Sequence, residues 1–170
     1  MSKQQLPQLP PMPPMPQTPL TGSCQCGALR YRITETPLTL YCCHCSECQA
    51  QASSAFGMSL RIPASGIELL GEYGSFVRDP GKSNAVEGVF CTDCGSRVVH
   101  RGRGEDGSSS VKAGTLDDKS WLSPVGHIWV ASAQPWIQLD GLIYQQQPDD
   151  DYAALIEAFR DQQAAAKTTP

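Results

Sequence analysis

The sequence predicts a mainly β protein of small antiparallel sheets with a C-terminal amphipathic helix, and three observations carry that prediction. From Thr21 to about Asp140 the chain runs in short segments punctuated by glycine and proline, the habit of short strands joined by turns. Within it, Leu29-Arg30-Tyr31-Arg32-Ile33-Thr34 alternates apolar with polar, the period of a strand with one face buried. Near the end, Tyr152, Leu155, Ile156 and Phe159 fall at i, i+3, i+4 and i+7, the stripe of a helix packed by one face.

Taken in order, the chain begins with a proline-rich tail over residues 1–20, because half of its 14 prolines lie before Leu20. Such a segment is extended and solvated, with no core of its own. A domain over 21–140 follows, then an extension over 141–170 that carries the helix. Beyond the Leu29 run, short strands are expected at Ala55 to Leu60, Ile67 to Leu70, Ala85 to Phe90, Arg97 to His100, Ser110 to Ala113 and His127 to Ala131. The helix is expected behind Asp149, Asp150 and Asp151, whose negative charge favours a helix N-terminus, and to fray by Lys167. Trp121, Trp129 and Trp136 are expected in the core, since each buries a large apolar area.

Charge and composition narrow the function. A formal charge of −4 over 170 residues argues against nucleic-acid binding, which runs on basic surface neutralising phosphates. No stretch has the length and apolarity of a membrane span. The first twenty residues carry one charge, Lys3, and no apolar run, so neither a secretory leader nor a transit peptide is expected. A cytoplasmic protein is the expectation, in a compartment where thiols persist and cysteine clusters point to metal or catalysis.

The eight cysteines then carry the chemistry. Four lie in Cys42-Cys43-His44-Cys45-Ser46-Glu47-Cys48, and the others pair as Cys24-Gln25-Cys26 and Cys91-Thr92-Asp93-Cys94. A Cys-x-Cys on a strand places both sulfurs on one face, and a Cys-x-x-Cys knuckle followed by glycine, here Gly95, makes two sulfurs converge. Two such pairs make a four-thiolate tetrahedral site, which suits Zn²⁺ because its filled d shell imposes no competing geometry. Disulfides are the alternative, but adjacent Cys42 and Cys43 are awkward to bridge. Spacing leaves two partitions open. Cys45 and Cys48 with Cys91 and Cys94 would form a closed zinc ribbon. Alternatively, Cys24 and Cys26 join Cys91 and Cys94, leaving Cys43, Cys45 and Cys48 as a second site with an open fourth position, the mark of catalytic zinc.

Several runs resemble one family in order: Gly22-Ser23-Cys24-Gln25-Cys26-Gly27, Cys43-His44-Cys45-Ser46-Glu47-Cys48-Gln49, Ser54-Ala55-Phe56-Gly57-Met58, Phe90-Cys91-Thr92-Asp93-Cys94-Gly95-Ser96, Gly114-Thr115-Leu116-Asp117-Asp118, and His127-Ile128-Trp129 through Pro135-Trp136. The chain is similar to the glutathione-dependent formaldehyde-activating enzymes, whose domain is shared with centromere protein V. The resemblance implies a β-tent fold around a structural zinc held by Cys24, Cys26, Cys91 and Cys94. It also implies a catalytic zinc held by Cys43, Cys45 and Cys48. The implied reaction is carbon–sulfur lyase chemistry on the adduct of glutathione, or another small thiol, with formaldehyde or a related aldehyde. Glutathione is then a co-substrate, and thiol and aldehyde are the small-molecule partners. Because three thiolates already outweigh the charge of Zn²⁺, a fourth would make that zinc labile.

His44 lies between Cys43 and Cys45, so on a strand it points away from their sulfurs and packs rather than ligates. His127 belongs to a family-like motif and is a candidate catalytic proton carrier. Cys42 reads as a small buried hydrophobe. Relatives carry a basic residue where this chain has Ala50 and a glycine where it has Ser53, which leaves Arg61, Arg78, Arg97 and Lys112 as candidates to meet the carboxylates of glutathione. A function of another class, a non-catalytic zinc module that binds a partner, is the alternative.

Overall fold

The computed structural model describes residues 12–79, 85–102, 107–149 and 152–168. Of the segment read as a tail, residues 1–11 lie outside the described residues, as do Asp150 and Asp151 before the helix. Parts of the remainder are engaged with the fold. Leu20 is buried in the first strand and Met15 packs against the core, with the Met15 N–H donating to Gln163 Oε1 at 2.9 Å.

Strands β1 (Leu20–Ser23), β2 (Arg30–Ile33) and β5 (Ile67–Leu70) form an antiparallel sheet in the order β1-β2-β5. The other strands are β3 (Thr39–Cys43), β4 (Gly57–Pro63), β6 (Tyr73–Arg78), β7 (Val86–Cys91), β8 (Arg97–Gly102), β9 (Ser108–Lys112), β10 (Gly126–Ile128) and β11 (Leu142–Ile143). They make one sheet in the order β11-β10-β3-β4-β9-β8-β7-β6. This second sheet is neither small nor purely antiparallel, since β10 runs parallel to both β3 and β11. A parallel pair needs a long crossover, and everything between β3 and β10 supplies it.

Helices α1 (Ser46–Ala52) and α2 (Ala153–Thr168) complete the regular structure among the described residues. Every residue of β3 is buried, which is why its sequence shows no alternation. Beyond Ile128 the expected strand gives way to a 3-10 turn, Val130–Ser132, entered through Trp129 at φ 59°. Helix α2 closes over β3. The Thr39 hydroxyl donates to the Leu155 carbonyl at 2.8 Å, and Leu155 and Phe159 are fully buried. Trp121 is buried as expected, whereas Trp136 is 70% exposed, because it lies in the loop between the 3-10 turn and β11, where no element covers it.

Gly22 sits where a side chain would run into the Tyr31 ring and the Thr115 carbonyl. That close approach lets the Tyr31 hydroxyl meet Thr115 Oγ1 at 2.8 Å and Thr21 Oγ1 donate to Asp117 at 2.7 Å. The family-like residues from Gly114 to Asp117 therefore brace β1 and β2.

Because Leu155 contributes a fully buried side chain where α2 meets β3, Leu155→Ala should destabilise the protein by about 2–5 kcal/mol. A lowered urea midpoint with unchanged slope is the expected outcome. An unchanged midpoint would mean that α2 is not part of the cooperative unit.

Candidate functional site

The structure brings the cysteines together in two groups. The sulfurs of Cys24, Cys26, Cys91 and Cys94 lie within 4.8 Å of one another, and so do those of Cys43, Cys45 and Cys48. The zinc-ribbon pairing of Cys45 and Cys48 with Cys91 and Cys94 does not occur. All eight cysteines are free thiols, and the closest sulfurs, at 3.5 Å, are far beyond the roughly 2.05 Å of a disulfide.

The quartet joins the turn after β1 to the knuckle after β7. Gly95, at φ 73°, makes the reversal that lets its N–H bond the Cys91 carbonyl at 2.9 Å. The Ser96 hydroxyl beside Cys94 holds that thiol low, at about 5. Ser96 Oγ also accepts from the Gln25 N–H at 3.1 Å, tying the two halves of the quartet together.

The trio is built across the end of β3 and the start of α1. Cys43 is the last residue of its strand, and Cys45 is the N-cap of the helix, with its sulfur accepting the Cys48 N–H at 3.4 Å. The Cys43 thiol donates to Cys45 at 3.5 Å. That bond, with one from Cys48, drops the Cys45 thiol to about 2 and raises Cys43. The arrangement is one thiolate solvated by two thiols, a donor set from which a soft or borderline cation can displace the remaining protons. Four converging sulfurs satisfy a tetrahedral ion; three leave one position for another ligand. Both groups therefore fit a thiolate-bound metal.

The open side of the trio faces a cavity of about 640 Å³. Its floor follows from strand alternation. Thr39, Tyr41 and Cys43 share one face of β3, and register places Arg61 and Ser59 beside Thr39 and Tyr41 on β4, then Ser110 and Lys112 beside those on β9. His100 stands opposite Ser110 on β8. The intervening residues, Leu40, Leu60, Val111 and Val99, take the other face and enter the core. Arg61 and Lys112 are only 8% and 9% exposed. Burial pushes the Lys112 ammonium down and the His100 imidazole down to about 2, so His100 stays neutral.

Of the four cations considered from sequence, Arg61, Arg78 and Lys112 line this cavity. Arg97 does not; it touches His100 at 3.3 Å and the Phe90 ring at 5.8 Å. The C-terminal extension adds Gln147 and Tyr152 to the wall, which sequence reasoning missed because α2 was read only for its apolar stripe.

His127 stands elsewhere. It pairs in register with Cys42, not Cys43, so it points to the face opposite the trio and does not line the cavity. There it forms a chain with His44. His127 Nε2 lies 3.1 Å from Asp140 Oδ1, and His127 Nδ1 lies 2.9 Å from His44 Nε2. If Asp140 accepts from Nε2–H of a neutral His127, then His44 Nε2 donates to Nδ1 and the bare lone pair of His44 Nδ1 faces the interior. That atom has no hydrogen-bond partner, and burial holds the His44 imidazole neutral. His44 thus packs, as its position between two ligand-like cysteines suggests. Gln49 fixes the knuckle from outside: its amide donates to the His44 carbonyl at 2.6 Å and the Ser132 carbonyl at 2.8 Å. Cys42 is buried, and burial pushes its thiol up to about 12. Ser53 occupies a left-handed C-cap at φ 47°, a conformation that glycine adopts at less cost.

None of the helices among the described residues is long and apolar enough to cross a membrane. A family model described as glutathione-dependent formaldehyde-activating enzyme matches residues 19–132. Among solved structures, the crystal structure of a Rhodobacter sphaeroides protein is similar at 18% identity and a TM-score of 0.48, covering 62% of this chain and 92% of that one. No curated protein matches.

Because His127 is remote from the sulfurs, His127→Ala should leave metal content unchanged. It should destabilise the fold by about 1–3 kcal/mol, by stripping His44 of the hydrogen bond its ring makes to His127. Thermal unfolding and elemental analysis check both halves, and a lost metal would place His127 in the site after all.

Proposed function

We propose, from the premise that this chain belongs to the glutathione-dependent formaldehyde-activating enzyme family, that it is a zinc-dependent carbon–sulfur lyase-type enzyme. In this reading it acts on the adduct of a small thiol, glutathione first among them, with formaldehyde or a related aldehyde. The observation that carries the reading is the contrast between the two sulfur groups: four sulfurs close on one another, while three open onto a cavity.

Cys24, Cys26, Cys91 and Cys94 would hold a structural zinc that binds the turn after β1 to the end of β7, the brace of a β-tent fold. Cys43, Cys45 and Cys48 would hold the second. Bound there, zinc would supply Lewis acidity toward an aldehyde oxygen or a lowered pKa to a thiol. Eight reduced thiols suit a cytoplasmic setting.

In the synthetic direction the sulfur of the thiol bonds the carbonyl carbon, the carbon–oxygen π bond opens, and the thiol proton ends on that oxygen. The cavity floor offers the donors this needs. The Ser59 hydroxyl stands on the strand beside the trio's and the Ser110 hydroxyl one strand further on, both on the cavity face, within a wall that also holds neutral His100. Tyr41 of the floor and Tyr152 of the wall lie with ring centroids 5.2 Å apart. Three thiolates would outweigh the charge of Zn²⁺, so an incoming thiolate would loosen an ion held by Cys43, Cys45 and Cys48 and make it exchangeable.

Native mass spectrometry should count two zincs per chain and fewer after glutathione is added. Cys45→Ser should lose one zinc and all turnover of thiol and aldehyde while unfolding remains cooperative. Loss of both zincs, or retained turnover in Cys45→Ser, would overturn this reading. No thiol-dependent turnover across a broad aldehyde panel would favour a non-catalytic zinc module.

A further inference from the structure

The cavity wall away from the sulfurs is built from two buried cations. Arg61 on β4 and Lys112 on β9 occupy diagonal positions on adjacent strands, since Arg61 is paired with Ser110. Diagonal positions stand roughly 7–8 Å apart, which lets two long side chains converge on one small anionic group. Both line the cavity while remaining at least nine-tenths buried. A third feature fixes the geometry: the Arg61 guanidinium lies 4.1 Å from the centroid of the Tyr152 ring, close enough for a cation–π contact.

Tyr152 comes from outside the family-matched segment, which ends at residue 132. It is held at φ 67° immediately before α2. The anchoring of α2 by Leu155 and Thr39 therefore sets where the ring sits. Among the described residues lining the same cavity, Glu47 pairs with Arg78 at 3.9 Å.

We propose that Arg61, positioned by Tyr152, and Lys112 form an anion-binding subsite that seats a carboxylate of the thiol substrate, so that the C-terminal extension takes part in substrate selection. The inference rests on the reading of the cavity as a thiol site and deepens it. A guanidinium offers a carboxylate two parallel N–H donors and an ammonium adds a point charge, both shielded from water. A neutral thiol gains nothing from either group.

The test uses the zinc-loaded, full-length protein and calorimetric titration with glutathione and with its diethyl ester, which keeps the thiol and removes both carboxylate charges. Glutathione should bind at least about tenfold more tightly than the diester, the ratio of one charge-assisted contact. That preference should fall in Arg61→Gln and Lys112→Met. It should also fall in Tyr152→Leu but be restored in Tyr152→Phe, which keeps the ring; a merely structural role would weaken both ligands alike. Should Arg61→Gln fail to fold, Lys112→Met and the Tyr152 pair decide the matter. Equal affinities for the two ligands, or a preference that survives in Lys112→Met and Tyr152→Leu, would overturn the subsite and leave the proposed function standing. Binding of neither thiol would overturn both.

Discussion

Strand alternation across β3, β4 and β9 is the constraint from which the rest follows. A one-residue slip in any of these pairings would turn Arg61 and Lys112 into the core and expose Leu60 and Val111 to the cavity. The observed register keeps Thr39, Tyr41 and Cys43 in one row with Ser59, Arg61, Ser110 and Lys112. The same alternation sends Cys42 and His127 to the opposite face. One sheet thus serves as core on one side and as the floor of the cavity on the other.

The two sulfur groups have similar donors and opposite surroundings. The quartet links strands that belong to different sheets, β1 and β7, and its four sulfurs converge on one another. The trio sits at a strand-to-helix junction whose backbone is locked by Gln49 and by the His44 N–H donating to the Ile128 carbonyl at 3.0 Å. Rigidity behind the sulfurs and space before them is what a binding site requires. The His44–His127 pair belongs to that rigid backing, because two buried imidazoles in mutual hydrogen bonding pin β10 against the chain beyond β3.

Much of this was legible in the residues. The short strands around Arg30, Ile67, Val86 and Arg97 announced themselves through alternation or β-branched runs bounded by glycine and proline, and α2 through its stripe. Strand β3 was not legible, since burial on both sides erases alternation. Nor was α1, because the spacing of Cys45 and Cys48 reads equally as a knuckle. The partition of the cysteines was hidden from spacing alone, as each Cys-x-x-Cys fits either grouping, and only the fold separates them. The face that His127 occupies was hidden because a motif gives sequence neighbours, whereas that face depends on its partner strand. Trp136 misled because bulk alone does not ensure that something packs over it.

Burying Arg61 and Lys112 opposes folding, since desolvating each cation costs several kcal/mol unless something answers the charge. Part of the answer lies in the sulfurs: the trio's negative charge draws the Lys112 ammonium back toward its charged form against the pull of burial. Part lies in the Tyr152 ring against Arg61. A divalent ion that displaced the two remaining protons would leave the trio with one net negative charge, as in the bare cluster of one thiolate and two thiols, so it would not remove the attraction felt by Lys112. An anionic thiol would then satisfy both ends of the cavity at once, its sulfur at the trio and its carboxylate at the far wall. On the proposed reading, the charge that makes the wall costly in the unliganded protein is the charge that would make it selective.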